Sequence, residues 1–321
     1  MKILVTGVNG QVGYELVRSL QHLGQVIALD RSQMDLANPQ QMRQVIRRER
    51  PQLIVNPAAY TAVDQAEAEP ALAMRINAEA PGIIAAEARD CGAALIHYST
   101  DYVFDGSKNG AYTENDAGCP INVYGRSKLA GEQAVTDSGV AHVILRTSWV
   151  YGMRGKNFLK TIQRLAAEKD ELRIVADQYG APTWCRTIAD GTARVIERLC
   201  AADSAHSADR NAIVPTRWEQ LGGIYHLTAR GHTSWHGFAS EIVARGVRAG
   251  QVTVIPIAAE AYPTPAPRPQ NSILSCERFE QQFGNLPKWE KALSDCLLDA
   301  GSTRRATWPA GIFPDRRRLQ H

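Results

Sequence analysis

Residues 3–20 read as strand, glycine turn and helix in immediate succession, an order that few folds accept. Ile3-Leu-Val5 is a short apolar run suited to a buried parallel strand. Thr6-Gly7-Val-Asn-Gly10-Gln11-Val12-Gly13 follows, and Tyr14 to Leu20 carries apolar residues at helical spacing. Gly7 can make a tight turn, Gly10 lets the backbone approach a pyrophosphate, and Gly13 lets the helix pack close on the sheet. The helix N-terminus then offers free N–H groups to the phosphates. A second strand, Gln25 to Leu29, ends at Asp30, whose carboxylate can accept hydrogen bonds from an adenine ribose diol and would repel a 2′-phosphate. Arg31, next in the chain, softens that repulsion. The segment reads as a dinucleotide site that favours NADH and leaves NADPH open.

The rhythm of strands and helices continues. Helices are predicted over 39–50, 70–80 and 81–91, and strands over 53–55, 94–97 and 142–145. Asn56 to Asp64 is rich in small residues, which lets a cofactor lie over the end of its strand. The strand at 94–97 delivers Tyr98-Ser99-Thr100-Asp101 at its carboxyl end, where such sheets bind ligands. After Trp149 the pattern loosens. Helices are predicted over 157–168, 188–199 and 235–248, a strand and turn over 174–183, and a late strand over 224–227. The stretch 201–216 reads as a polar surface insertion, Pro263, Pro265, Pro267 and Pro269 as a stiff extended segment, and the end past about residue 300 as frayed.

Tyr124 and Lys128 lie four residues apart in Asn122-Val-Tyr-Gly-Arg-Ser-Lys-Leu-Ala-Gly131, so on a helix they share one face. A neighbouring ammonium favours a phenolate and is expected to lower the tyrosine pKa. The pair would then exchange protons near neutral pH. His97, just before the strand's end, and Asn77, within a helix, read as buried structural groups.

The chain of 321 residues is long enough for one large α/β domain or two smaller ones. A net charge of +3 gives no case for nucleic acid or a membrane surface, and the run Arg316-Arg317-Arg318 reads as a solvated terminus. The six cysteines form no Cys-x-x-Cys and no zinc spacing, which points to a reduced, cytoplasmic protein. The start at Met1 leaves no room for a signal peptide, and no apolar run approaches the roughly 20 residues that span a bilayer.

Several motifs together make a resemblance. They are Thr-Gly-x-x-Gly-x-x-Gly at 6–13, Val55-Asn-Pro-Ala-Ala-Tyr-Thr-Ala-Val-Asp64, Ile96-His-Tyr-Ser-Thr-Asp-Tyr-Val-Phe104 and Asn122-Val-Tyr-Gly-x-x-Lys-Leu-Ala-Gly-Glu132. Arg146-Thr-Ser-Trp-Val-Tyr151, Gln178-Tyr-Gly-Ala-Pro-Thr183 and Tyr262-Pro-Thr-Pro-Ala-x-Arg-Pro-x-Asn-Ser272 continue them. Over residues 1–295 the chain resembles the extended short-chain dehydrogenase/reductases and, within them, the dTDP-4-dehydrorhamnose reductases. The resemblance implies a Rossmann-type doubly wound parallel sheet with a smaller α/β substrate-binding domain. The expected division is 1–148 with about 181–229 for the dinucleotide and about 149–180 with 230–300 for a nucleotide sugar, with 301–321 as a tail. It implies Thr100, Tyr124 and Lys128 as catalytic residues. The glycine turn, Asp30, Asp35, Leu36, Ala58, Ala59, Tyr60 and Thr61 would hold NADH or NADPH. Thr61, Val63, Asp101, Tyr102, Phe104 and Trp149 would line the sugar pocket, and Asn157 and Arg268 would hold the diphosphate. Trp149, Phe104, Asp101 and Arg268 also have purely structural readings.

Rivals remain at this stage. A dehydratase of the same fold uses Thr-Asp-Glu, whereas this chain has Thr100-Asp101-Tyr102. An epimerase keeps the same three catalytic residues but recycles its cofactor, and a regulatory subunit of reductase-like fold would have no need of them. Some relatives bridge a dimer with magnesium. Here Glu15 is available, but Trp184-Cys-Arg186 stands where those relatives carry an acid, which opposes a metal. Monomer and homodimer both stay open.

Overall fold

The computed structural model describes residues 1–200 and 215–303. The chain begins β1 (Lys2–Val5), α1 (Gln11–Ser19), β2 (Gln25–Ala28), α2 (Pro39–Glu49) and β3 (Leu53–Asn56). Next come α3 (Val63–Ala68), α4 (Pro70–Met74), α5 (Ala80–Asp90), β4 (Ala94–Thr100), α6 (Val123–Asp137) and β5 (His142–Thr147). The looser part holds β6 (Val150–Tyr151), α7 (Phe158–Glu168), β7 (Glu171–Val175), β8 (Tyr179–Gly180), β9 (Thr183–Trp184) and α8 (Cys185–Cys200). It closes with α9 (Pro215–Leu221), β10 (Gly223–His226), β11 (Thr233–Ser234), α10 (Trp235–Ala244), β12 (Thr253–Ile257), α11 (Glu277–Phe283) and α12 (Trp289–Thr303).

Six parallel strands form the central sheet in the order β10-β5-β4-β3-β1-β2. The chain leaves β1 for β2 on one side and returns for β3 on the other, so the switch point lies between β1 and β3. Strand residues alternate between two cores. Ile3, Val5, Leu53, Val55, Ile96 and Leu145 pack against α1, α8 and α11. Leu4, Ile54, Leu95 and Ile144 pack against α2, α5 and α6. A buried parallel strand needs apolar residues on both faces, which is why these strands read as continuous apolar runs. A third core joins Tyr151, Leu159, Leu172, Phe238 and Trp289 from the loose part of the chain. Residues 276–286 return to the sheet, where Phe279, Phe283 and Leu286 join the first core.

Three differences from the sequence reading have physical causes. The two helices expected over 70–91 are one continuous run, with a widened π turn at Arg75–Glu79. Pro81 has no N–H to give the Asn77 carbonyl, so the break falls before it as a bulge rather than as an end. Val63–Ala68 is helical although it carries no side-chain cap and is only six residues long. Thr253–Ile257, Glu277–Phe283 and Trp289–Thr303 were not anticipated, since their burial depends on the third core and on the return to the sheet. Most of the polar insertion, 201–214, and the tail from 304 onward lie outside the described residues.

Candidate active site

The site forms at the carboxyl ends of β1, β3 and β4. Gly7 takes φ +57°, and a Cβ there would lie 2.8 Å from the Cβ of Ala58, so only glycine lets the two loops meet. The helix α6 starts at Asn122, whose Oδ1 accepts from Gly125 N at 2.8 Å, while its Nδ2 donates to the Pro267 carbonyl at 2.9 Å. At Gly125 a Cβ would come within 2.1 Å of the Tyr102 carbonyl, so the glycine allows α6 to press against the turn after β4. Asn77, on the π turn, accepts from Tyr60 N at 2.8 Å and donates to Tyr60 O at 2.9 Å and to Ser127 Oγ at 3.0 Å. It ties the loop after β3 to α6.

Most of the residues singled out from the sequence share one cleft of about 740 Å³. They are Gly7, Gly10, Gln11, Val12 and Gly13; Asp35 and Leu36; Ala58, Ala59, Tyr60, Thr61 and Val63; Thr100, Asp101, Tyr102, Tyr124 and Lys128; and Trp149 and Asn157. Three others are not among the residues that line it. The Asp30 carboxylate is engaged locally, accepting from Ser32 N at 2.9 Å and Ser32 Oγ at 2.6 Å, and the Ser32 hydroxyl chiefly holds its pKa below the ordinary value. Its neighbour Arg31 lines the cleft and pairs with Asp35 at 3.5 Å. Phe104 is fully buried and stacks on Tyr112, with centroids 4.2 Å apart, because the 3-10 turn at Asp101–Val103 swings it inward. Arg268 pairs with Asp64 at 2.8 Å and lies 5.9 Å from the Tyr102 ring centroid, so it acts on the cleft through that ring. Asn157 is in the cleft, yet its Oδ1 caps α7 and its Nδ2 donates to Gln11 Oε1 at 2.8 Å and Gly152 O at 2.7 Å. The amide therefore clasps the loop and leaves little for a diphosphate.

The electrostatics correct one expectation. The phenol of Tyr124 is not softened by the lysine. Burial pushes its pKa up to about 12, opposed by a hydrogen bond from Thr100 and reinforced by the charge of Asp101. Lys128 is turned elsewhere: its Nζ donates to the Tyr98 carbonyl at 2.6 Å and faces His97 Nε2 at 3.4 Å. Burial pushes the lysine down to about 8, against the pull of Glu132. The Thr100 hydroxyl donates to Asp101 Oδ1 at 2.9 Å and accepts from Tyr102 N at 3.2 Å. Among the described residues, Ser99 Oγ and Thr147 Oγ1 are buried without a protein partner, and both residues line the cleft. A bound polar ligand would satisfy them.

The profile of the family described as the RmlD substrate binding domain matches residues 1–301. The dTDP-4-dehydrorhamnose reductase of Burkholderia thailandensis is 48% identical over 306 residues, covering 93% of this chain and 99% of the relative. This chain belongs to the dTDP-4-dehydrorhamnose reductase family. Other members agree. The Escherichia coli K12 reductase is 42% identical over 314 residues, with 94% of this chain and 99% of the relative covered. The Bacillus anthracis dTDP-4-dehydrorhamnose reductase, solved in complex with NADP, superposes with a TM-score of 0.82 at 35% identity, over 93% of this chain and 99% of that one. The members of this family are NAD(P)H-dependent oxidoreductases.

Within this dTDP-4-dehydrorhamnose reductase family fold, the cleft also contains residues that sequence reading missed. Trp235, the first residue of α10, stacks on Trp149 with centroids 3.5 Å apart and planes within 5°. No local signal links residues 86 positions apart; only the tertiary fold joins them. Lys156 and Met34 also line the cleft. Lys156 precedes the singled-out Asn157, so proximity in sequence could have found it. Glu15 accepts from Arg186, which also reaches Asp299 at 3.5 Å, and Arg18 lies 3.4 Å from Glu15. Among the described residues, no group of three or more His, Cys, Asp or Glu is gathered to hold a metal, and no helix is long and apolar enough to cross a membrane.

Proposed function

We propose that this chain reduces the C4 ketone of dTDP-4-dehydro-β-L-rhamnose to dTDP-β-L-rhamnose, the last step of dTDP-rhamnose synthesis, with NADH or NADPH as reductant. The observation that carries this is the convergence of Thr100, Tyr124 and Lys128 with the glycine turn in one cleft. The cradle fits a dinucleotide: Gly7 and Ala58 meet where any larger residue would clash, and the N-terminus of α1 opens toward the cleft. A bound NADH or NADPH supplies a hydride to the ketone carbon. The sheet-centred unit, 1–148 with about 181–229, holds the dinucleotide, and 149–180 with 230–300 holds the nucleotide sugar.

Negative charge then gathers on the ketone oxygen. A phenol with a pKa near 12 keeps its proton at neutral pH and gives it only to something more basic. An alkoxide-like oxygen is such a base, so Tyr124 protonates it as the C–H bond forms. The Thr100 hydroxyl, whose one proton goes to Asp101 Oδ1 at 2.9 Å, can turn that proton to the developing charge instead. Lys128 orients the nicotinamide ribose. With a pKa near 8 it is also a downhill proton source for the phenolate in the same cleft, although its Nζ bonds the Tyr98 carbonyl and not the phenol, and it then recovers a proton from water. Trp149, Thr61, Val63, Asp101 and Tyr102 form the sugar wall, and Arg268 holds Tyr102 from behind.

A dehydratase needs a second carboxylate where Tyr102 stands, which disfavours elimination. All six cysteines are unpaired, which supports a reducing, cytoplasmic setting for a monomer or homodimer. The test is Tyr124→Phe, followed by nicotinamide absorbance with dTDP-4-dehydrorhamnose as substrate. Turnover should fall about 10²–10⁴-fold with cofactor binding unchanged. Turnover equal to wild type, or cofactor that is recycled rather than consumed, would reject the reading.

A further inference from the structure

The face of the sheet that packs on α6 is apolar in its lower layer, where Leu4, Ile54 and Leu95 stand side by side in register. Two residues further along each strand the row changes character to Thr6, Asn56 and His97. All three are buried, at 1%, 0% and 0% exposure. Three polar residues in adjacent strands, under the helix that carries Tyr124 and Lys128, call for an account beyond packing, because each buried polar group costs stability unless it is paired.

Their pairing is directional. Thr6 Oγ1 donates to Asn56 Oδ1 at 2.7 Å. With its oxygen so engaged, the carboxamide turns its Nδ2 toward His97 Nδ1, at 3.2 Å. An Nδ2 can only donate, so against it Nδ1 is the acceptor and the neutral ring carries its proton on Nε2, although the Asn56 backbone carbonyl also lies within reach of the ring as a competing acceptor. Burial and the nearby lysine keep that ring neutral, holding its pKa well below the ordinary value. Nε2 faces Lys128 Nζ at 3.4 Å. An N–H aimed at an ammonium is a mismatch of two donors, and an N–H aimed at a free amine is a hydrogen bond.

We propose that His97 is a positioning residue for the reduction: locked by Thr6 and Asn56 in its Nε2–H form, it presses Lys128 toward proton release. The inference rests on the role given above to Lys128 and deepens it. Each turnover leaves Tyr124 as a phenolate, and the proton that restores it comes from the ammonium of Lys128, which then takes one from water. Destabilising that ammonium speeds the return. The other groups around Lys128 act differently. Glu132 on its own helix favours the charged form but is held by Arg146 of β5 at 2.6 Å, Tyr124 is neutral, and the Tyr98 carbonyl accepts from Nζ in either state. His142, on β5, acts on His97 electrostatically and adds to keeping it neutral.

The test titrates Lys128 directly in the full chain, by NMR of lysines labelled with ¹³C at the ε-carbon, with Lys128→Met assigning the signal. In His97→Gln the carboxamide can offer its oxygen to Nζ, and the midpoint should rise by about one pH unit, a tenfold gain in proton affinity. Thr6→Val leaves His97 untouched but frees the Asn56 carboxamide to turn over. The ring can then shift its proton to Nδ1, and the midpoint should rise by a smaller amount. The basic limb of the kcat/KM profile should move with it. Midpoints equal to wild type in the folded variants would overturn the proposal. If His97→Gln does not fold, Thr6→Val decides alone. If Lys128→Met turns over as fast as wild type, the role given to Lys128 fails, whatever the midpoints do.

Discussion

Asp101 is 2% exposed and lines the same cleft as Thr100 and Tyr124. Burial raises its pKa from 3.8 to about 6, with the nearby Ser272 and Thr100 hydroxyls opposing. The sign matters for stability. Between the two values the unfolded chain has already released its proton while the folded chain still holds it, so rising pH lowers stability across that window. About two pH units correspond to roughly 3 kcal/mol, present below the unfolded pKa and lost by the time the pH passes the folded one. Asp101→Asn removes the titration. Its urea midpoint should exceed that of wild type at neutral pH, and the advantage should shrink as the pH falls from about 6 to about 4. A difference that stays flat over that range would show that Asp101 titrates normally. The carboxylate has a local use as well. The Thr100 hydroxyl has one proton, shared between Asp101 and Tyr124, so ionised Asp101 draws it away from the phenol.

At the scale of elements, α6 is the part on which the site depends, and a buried ion pair fixes it. Arg146 of β5 donates to both oxygens of Glu132, at 2.9 and 2.6 Å, with both side chains 4% exposed. Removing one partner strands a buried charge, so Glu132→Gln should cost about 3–5 kcal/mol in chemical denaturation. Replacing both partners together, with Glu132→Leu and Arg146→Met, should recover most of that loss; if the double variant is no better than the single one, the pair is not acting as a unit. Little of this could be read from the chain, because a glutamate in a helix and an arginine in a strand give no sign of meeting. What could be read was local. Gly7, Gly10 and Gly13 fall between an apolar run and a helical one, and Tyr124 and Lys128 lie one turn apart, so turn and helix face follow from spacing alone. The direction of the Tyr124 shift did not follow, because desolvation depends on what covers the phenol and Lys128 found a carbonyl elsewhere. Phe104 entered the expected pocket through the resemblance alone, and the 3-10 turn that rotates it inward leaves no local sign in the sequence.

Over the whole molecule, the cleft lies where the sheet's carboxyl edge meets the third core, and a few contacts bridge the two. Asn157 reaches Gln11 at 2.8 Å, Arg268 reaches Asp64 at 2.8 Å, and Trp235 stacks on Trp149. The last of these carries strain. Trp149 has φ +46°, in the left-handed region that non-glycine residues avoid, at a cost of order 1–3 kcal/mol. Stacking of the two indoles returns about 0.5–1.5 kcal/mol beyond their burial, so the strained backbone is held from the far side of the cleft. The glycine turn has no part in that stack. Trp235→Ala should therefore let Trp149 relax and loosen the end of the cleft proposed for the sugar while leaving the end proposed for the dinucleotide alone. Expected is a rise of roughly 3–10-fold in KM for the nucleotide sugar, with the Kd for NADPH within about twofold of wild type. If both constants weaken together, the stack supports the whole cleft rather than one end, and the separation of the two binding regions across the molecule is wrong.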